Sequence, residues 1–184
     1  MRRLAAIAAC ACALAFAAEA PQKIIAAKST IRFVTKQMNV PVEGAFRKFD
    51  ATVAFDPARP EATKAQFDVD LGSIDLGNTE GETEAKGKAW LNVPAFPQAK
   101  FVASSVKQVA PGRYEASGAL TIKGTTQTIA APFTLAESGG IRTVEGQFTM
   151  KRLAFRIGEG TWSDTDTVAD EIVVKFRFAL PSNR

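Results

Sequence analysis

Apolar and polar residues alternate along most of this chain with a period of two, the signature of half-buried β-strands. Lys64 to Leu71 shows it most cleanly: Ala65, Phe67, Val69 and Leu71 face one way, and Lys64, Gln66, Asp68 and Asp70 the other. The same alternation predicts strands over Thr30–Lys36 (Ile31, Phe33), Ala45–Phe55 (Phe49, Ala51, Val53, Phe55, with Arg47 opening that face) and Lys100–Lys107. It continues over Arg113–Lys123 (Tyr114, Ala116, Gly118, Leu120, Ile122), Thr126–Ala136 (Ile129, Ala131, Phe133, Leu135), Ile141–Lys151 (Val144, Gly146, Phe148, Met150) and Val168–Leu180 (Ile172, Val174, Phe176, Phe178, Leu180). Turn chemistry separates them at Asp56-Pro57, Pro111-Gly112, Lys123-Gly124 and Ser138-Gly139-Gly140. Pro132 falls on the outer face of its strand and predicts an edge or a bulge. Eight strands with mostly short connections imply antiparallel neighbours. Eight is also the number that closes a barrel filled by side chains or holding one small ligand.

One segment breaks the pattern. Thr79–Lys88 is rich in helix formers; Thr79-x-x-Glu82 matches a capping box, and Glu82/Lys86 and Glu84/Lys88 stand four apart. A short helix is expected, followed by an irregular stretch, Trp90 to Pro97, covering one end of the barrel. Two glycines sit at inward positions in similar runs, Gly118-Ala-Leu-Thr-Ile-Lys123 and Gly146-Gln-Phe-Thr-Met-Lys151. They predict either a bulge or tight crossing, or room for a ligand.

The N-terminus reads as an export signal. Arg2 and Arg3 precede an apolar run from Leu4 to Phe16, and Ala15-Phe16-Ala17 fits a small-x-small cleavage site. The run is shorter than the ~20 residues of a spanning helix. A lipobox-like Ile7-Ala8-Ala9-Cys10 is the competing reading, but too little apolar chain precedes it. The expected organisation is a signal peptide over residues 1–17, one domain over 18–184, and a periplasmic location.

Composition then removes whole classes of chemistry. The chain has no histidine, and its two cysteines, Cys10 and Cys12, both lie in the leader. The exported form therefore has no thiol, no disulfide, no Ser-His pair and no His or Cys metal ligand. Removing Arg2 and Arg3 from 23 basic residues leaves 21 against 19 acidic ones, with signs interspersed, so no nucleic-acid footprint is expected. Ser104-x-x-Lys107 has a hydrolase-like spacing, but that chemistry uses one face of a helix and this segment reads as a strand. Asp164-x-Asp166 begins like a calcium loop, but Ala169 occupies the sixth position, where the turn needs glycine, and no glutamate follows at the twelfth. No carboxylate pair stands out for glycoside hydrolysis. No catalytic residue, metal or cofactor is assigned. What survives is binding, because an aromatic-lined barrel suits a long apolar chain.

Six motifs, in order, resemble the YceI-like, polyisoprenoid-binding family: Ser29-Thr-Ile-Arg-Phe33, Gly44-Ala-Phe-Arg-Lys-Phe49, Ser73-Ile-Asp-Leu-Gly-Asn78, Phe96-Pro-Gln-Ala-Lys-Phe101, Gly118-Ala-Leu-Thr-Ile-Lys-Gly124 and Gly158-Glu-Gly-Thr-Trp162. The resemblance runs from about Ser29 to Leu180. It implies an all-β, eight-stranded antiparallel, lipocalin-like barrel that holds a long isoprenoid or other long-chain lipid. Many members follow the Asn78 motif with an Arg-Asp-x-His-Leu segment; here Thr79–Trp90 lacks that Arg and His and carries Gly87-Lys88-Ala89-Trp90. The expected wall is Phe33, Phe49, Phe67, Phe101, Leu120, Phe148, Val174 and Phe176, with Trp90, Phe96 and Trp162 near the ends. The alternative is a filled barrel acting as a non-catalytic module for a quinone- or cytochrome-linked membrane redox partner. A carboxylate-only hydrolase ranks last.

Overall fold

The structure, a computed structural model, describes residues 20–182; the leader and its competing readings lie outside the described residues. The strands are β1 (Gln22–Lys23), β2 (Thr30–Gln37), β3 (Val40–Phe46), β4 (Phe49–Ala54), β5 (Lys64–Asp70), β6 (Ile74–Asp75), β7 (Gln98–Ala110), β8 (Arg113–Ile122), β9 (Thr125–Ser138), β10 (Ile141–Lys151) and β11 (Glu171–Pro181). One helix, α1 (Thr79–Lys86), follows β6. All strands join one antiparallel sheet in the order β1-β4-β5-β7-β8-β9-β10-β11-β2-β3-β6. The sheet curls on itself. Its two ends approach because β3 and β4 are joined by only Arg47 and Lys48, and because the residues after β1 reach both sides: Ile24 N–H donates to Ala51 O, and Ile25 N–H to Ala179 O at 2.7 Å.

The class is the expected all-β, lipocalin-like one, but eleven strands replace eight. The expected strand Ala45–Phe55 is two strands: the chain turns at Arg47 and Lys48, and Arg47 sits outside in an ion pair with Asp75 rather than opening the inward face. Strand β3 had no clean alternation to announce it, since Pro41, Glu43 and Gly44 interrupt the pattern. It forms because Met38 and Asn39 both take positive φ (48° and 64°), the geometry of a two-residue hairpin turn. Lys123-Gly124 and Gly139-Gly140 take the same left-handed geometry in the β8–β9 and β9–β10 hairpins. Strand β11 begins at Glu171 rather than Val168, which makes only an isolated bridge to Gln37.

Pro132 marks a local edge, as its place in the alternation predicts: from Pro132 back to Thr125, β9 pairs with β8 alone. Strand β9 is flanked by β8 and β10, but its pairing to β10 ends at Phe133↔Gly146, so Pro132 stands where no N–H is required. The helix is shorter than expected, and its cap is shifted by one residue. Asn78 is the N-cap, its side chain accepting from Gly81 N–H at 2.7 Å, while Glu82 accepts from Leu76 N–H at 3.3 Å. Lys88 lies past the helix end, so only Glu82 and Lys86, 4.0 Å apart, keep helical spacing.

Two apolar clusters occupy the two ends of the barrel. One gathers Phe55, Tyr114, Phe133, Phe178 and Leu180; the other gathers Leu71, Leu91, Ile122, Met150 and Phe155.

Candidate ligand-binding lumen

Between the two clusters the interior is open. A cavity of about 1130 Å³ runs through the barrel, somewhat above the usual range for small-molecule sites. Its length follows from the strand repeat. Ile172, Val174, Phe176, Phe178 and Leu180, every second residue of β11, all line it. Eight residues at ~3.3 Å each span about 26 Å. The wall carries five alanines, Ala65, Ala99, Ala103, Ala116 and Ala131, and these small side chains leave the centre free.

The glycines add to that space by an indirect route. A Cβ at Gly44 would lie 2.8 Å from Phe33 Cε1 and 2.9 Å from Leu76 Cδ2; one at Gly118 would lie 2.7 Å from Phe101 Cζ; one at Gly146 would lie 2.5 Å from Phe176 Cζ. Phe33 is the cross-strand partner of Gly44, and Phe176 of Gly146. Each ring leans sideways over a glycine on the neighbouring strand instead of standing across the lumen. Gly118 also faces the β7 bulge: Ala103 pairs with it and Ser105 with Ser117, leaving Ser104 unpaired. So both sequence readings of these glycines meet at Gly118, while Gly146 serves ring placement and close approach to the Pro132 carbonyl.

Of the eleven residues expected at the site, nine line the cavity: Phe33, Phe67, Trp90, Phe101, Leu120, Phe148, Trp162, Val174 and Phe176. Phe49 does not; it starts β4 just after the Arg47–Lys48 turn and packs edge-on against Phe178 at 6.1 Å. Phe96 does not either; its ring lies over Gly124 in the β8–β9 turn. Phe55, Phe133 and Phe178 belong to the wall and were already legible as inward positions in the alternation. The lining that the sequence concealed is α1: Thr79, Glu80, Gly81, Thr83, Glu84 and Ala85, with the cap residue Asn78, face the cavity. A helix with no apolar stripe gave no reason to expect it there.

The two ends are built differently. At one, Tyr114 stacks on Phe133 (5.3 Å, 16°), and Phe55 meets Tyr114 edge-on at 5.4 Å. At the other, Trp90 and Trp162 lie 5.4 Å apart, held by loops braced on buried cations. Arg152 is fully buried. Its guanidinium donates to the carbonyls of Ile157 (2.9 Å), Gly158 (3.2 Å), Val168 (2.7 Å) and Ala169 (3.1 Å), and lies 5.7 Å from the Trp90 ring centroid. Burial lowers its pKa, and the carboxylates of Asp170 and Asp164 oppose that shift. Lys123 Nζ donates to Arg156 O at 2.7 Å and to Glu159 Oε2 at 2.8 Å. Hydrogen bonds first from Lys123 and then from Arg156 hold the Glu159 carboxyl below its ordinary range. Nothing in the sequence distinguished Lys123 from an ordinary turn residue.

The lining is poor in reactive groups. Its polar members are hydroxyls, amides and two carboxylates, Glu80 and Glu84, and it includes no Lys or Arg. Asp164 is engaged within its own loop, accepting from Asp166 N–H (3.0 Å) and Thr167 Oγ1 (2.6 Å). Ser104 Oγ donates to Ser117 O at 3.0 Å. Among the described residues no group of three or more His, Cys, Asp or Glu is placed to hold a metal ion.

Known proteins share this fold. The crystal structure of Burkholderia cenocepacia BcnA superposes with a TM-score of 0.83 at 43% identity, over 85% of this chain and 98% of that one. A domain from Saccharophagus degradans described as polyisoprenoid-binding superposes with a TM-score of 0.70 at 13% identity, over 90% and 99%, a likeness of fold alone. A UPF0312 protein of Pseudomonas savastanoi is 32% identical over 98 residues, 53% of this chain and 51% of that protein. This chain thus spans about half the length of the curated relatives it matches. The YceI-like domain matches residues 23–180, nearly all of the described barrel, and the chain belongs to the YceI-like family.

Proposed function

We propose that the protein binds a long-chain lipid of isoprenoid type in its lumen, without catalysis, and carries or sequesters it in the periplasm. The observation that carries this reading is the cavity of about 1130 Å³, walled along some 26 Å by aromatic, aliphatic and alanine side chains. Apolar burial contributes ~25 cal/mol per Å² and needs no directional chemistry, so such a lumen rewards an elongated apolar chain. The described ligand class of the S. degradans domain agrees with it. Export is supported by Arg2-Arg3, the apolar run after them and the small-x-small site at Ala17. The reading of a filled barrel serving a membrane redox partner draws no support from so open a lumen.

The experiment is native mass spectrometry of the purified protein, before and after organic extraction, followed by titration with polyprenyl alcohols. Emission from Trp90 and Trp162, both in the lining, reports occupancy. A co-purifying long-chain lipid and saturable emission change are expected. A protein that is empty as purified and retains no added polyprenyl lipid refutes the proposal.

A further inference from the structure

The curled sheet has a seam. Strand β4 pairs only with β1 and β5, and β2 only with β3 and β11, so no ladder joins β2 or β3 to β4. A groove of about 460 Å³ lies along that seam, between residues 26–32 and 45–49. Its floor includes Ile31 and Phe46, which also line the lumen. Its rim carries Arg32, Arg47 and Lys48.

The charges around this groove do not balance. Of the nearby carboxylates, Asp50 pairs with Lys23 and Asp75 with Arg47, while Glu43, diagonal to Arg32 across the β2–β3 ladder, is in ion-pair contact with none of these cations. Arg32 and Lys48 have no acidic partner among the described residues. Lys175 is the direct cross-strand partner of Arg32, and like charges placed opposite each other destabilise a sheet. Lys28, exposed within the 26–32 segment that flanks the groove, adds a fourth unpaired cation. A fold does not need this uncompensated cluster; an anionic surface does.

We infer that the seam groove docks the protein on an anionic phospholipid bilayer. Arg32, Lys48, Lys175 and Lys28 meet the head groups, and the wall residues Ile31 and Phe46 then lie between the bilayer and the lumen. Docking does not require the lumen to hold a lipid, so the two readings fail separately.

The test is co-sedimentation of the protein with vesicles of phosphatidylcholine alone and of phosphatidylcholine mixed with phosphatidylglycerol. Binding is expected only to the mixed vesicles. It should vanish above about 0.5 M salt, where the screening length is about 4 Å. Each cation near an anionic surface is worth roughly fivefold in partition, so the double variant Arg32→Gln, Lys48→Gln should lose about 25-fold. Lys107→Gln, exposed on β7, should change nothing. Because Arg32→Gln also relieves the repulsion with Lys175, the thermal midpoint should hold or rise, which separates lost docking from lost folding. Equal binding to both vesicle types overturns the inference, as does a double variant that binds like the parent. Either result leaves lipid retention, read by Trp90 and Trp162 emission, as an independent outcome.

Discussion

Replacing Gly44 by alanine tests how the lumen is kept open. The new Cβ would overlap the Phe33 ring, 2.8 Å from Cε1, and stand 2.9 Å from Leu76 Cδ2. Every neighbour involved is a side chain, so the ring can swing off the wall, and it has only the lumen to swing into. Overpacking of this kind costs about 1–3 kcal/mol, and losing glycine's unfolded-state freedom returns about 0.5–1. The net is a loss of about 0.5–2 kcal/mol with a narrower lumen and weaker lipid retention. Phe33→Leu removes the ring tip, so Gly44→Ala should cost little in that background, with a coupling energy of about 1–2 kcal/mol in the double-mutant cycle. Gly146 supplies the contrast. Its Cβ would meet the Pro132 carbonyl as well as the Phe176 ring. A backbone oxygen in an interior strand cannot step aside, so Phe176→Leu should rescue Gly146→Ala only in part. Urea denaturation gives the stabilities and tryptophan emission the retention. Additivity of Gly44→Ala and Phe33→Leu within about 0.5 kcal/mol would refute the reasoning. So would a Gly146→Ala variant rescued as fully as Gly44→Ala.

Arg152→Lys keeps the charge but not the planar fork, and leaves buried carbonyls among Ile157, Gly158, Val168 and Ala169 unmatched. A loss of about 3–5 kcal/mol is expected, a fall in Tm of about 10 °C by calorimetry. Glu159 has its pKa lowered in the folded protein by Lys123 and then Arg156. Its contribution is therefore complete above the ordinary glutamate value near ~4.3 and is lost as pH falls through the lowered folded value. Urea midpoints should show an acid-side decline that shrinks in Glu159→Gln, while the two proteins keep a constant gap at neutral pH. On the proposed reading, organic extraction of the purified protein should lower Tm, and adding a polyprenyl lipid at ~100 times its Kd should restore about 2.7 kcal/mol. A Tm indifferent to extraction would separate the lumen from any ligand.

The wall was legible because alternation and inwardness are the same fact in a strand: Phe67, Leu120, Phe148 and Val174 were placed by spacing alone. Phe49 failed because spacing cannot see a turn, and the chain bends at Arg47-Lys48 between two strands that read as one. Strand β3 was invisible because it rests on Met38 at positive φ, a conformation its residue type does not advertise. Helix α1 was legible as a helix but not as lining. Its polar surface faces a cavity only because β6 and the Asn78 cap aim it there. The cations Lys123 and Arg152 were not legible at all, since their partners are mostly backbone carbonyls, which every residue type supplies, and the one carboxylate, Glu159 for Lys123, lies 36 residues along the chain.

Antiparallel pairing along the curled sheet satisfies backbone hydrogen bonds without requiring a packed centre, so folding and the proposed binding rest on different parts of the same interior. The aromatic group of Phe55, Tyr114 and Phe133 and the braced Trp90–Trp162 loops hold the ends, while alanines and rings laid over glycines keep the middle vacant. Apolar burial is non-directional and does not by itself distinguish one hydrocarbon chain from another. Discrimination then falls to the ends. A chain that fits between the aromatic group and the tryptophans buries fully within about 26 Å. A longer one must extend past Thr79, Thr83 and Glu84 on α1, where further apolar length meets hydroxyls and carboxylates and gains little. On the proposed reading the lumen gauges chain length, and its tightest binders should be those whose apolar part ends where α1 begins.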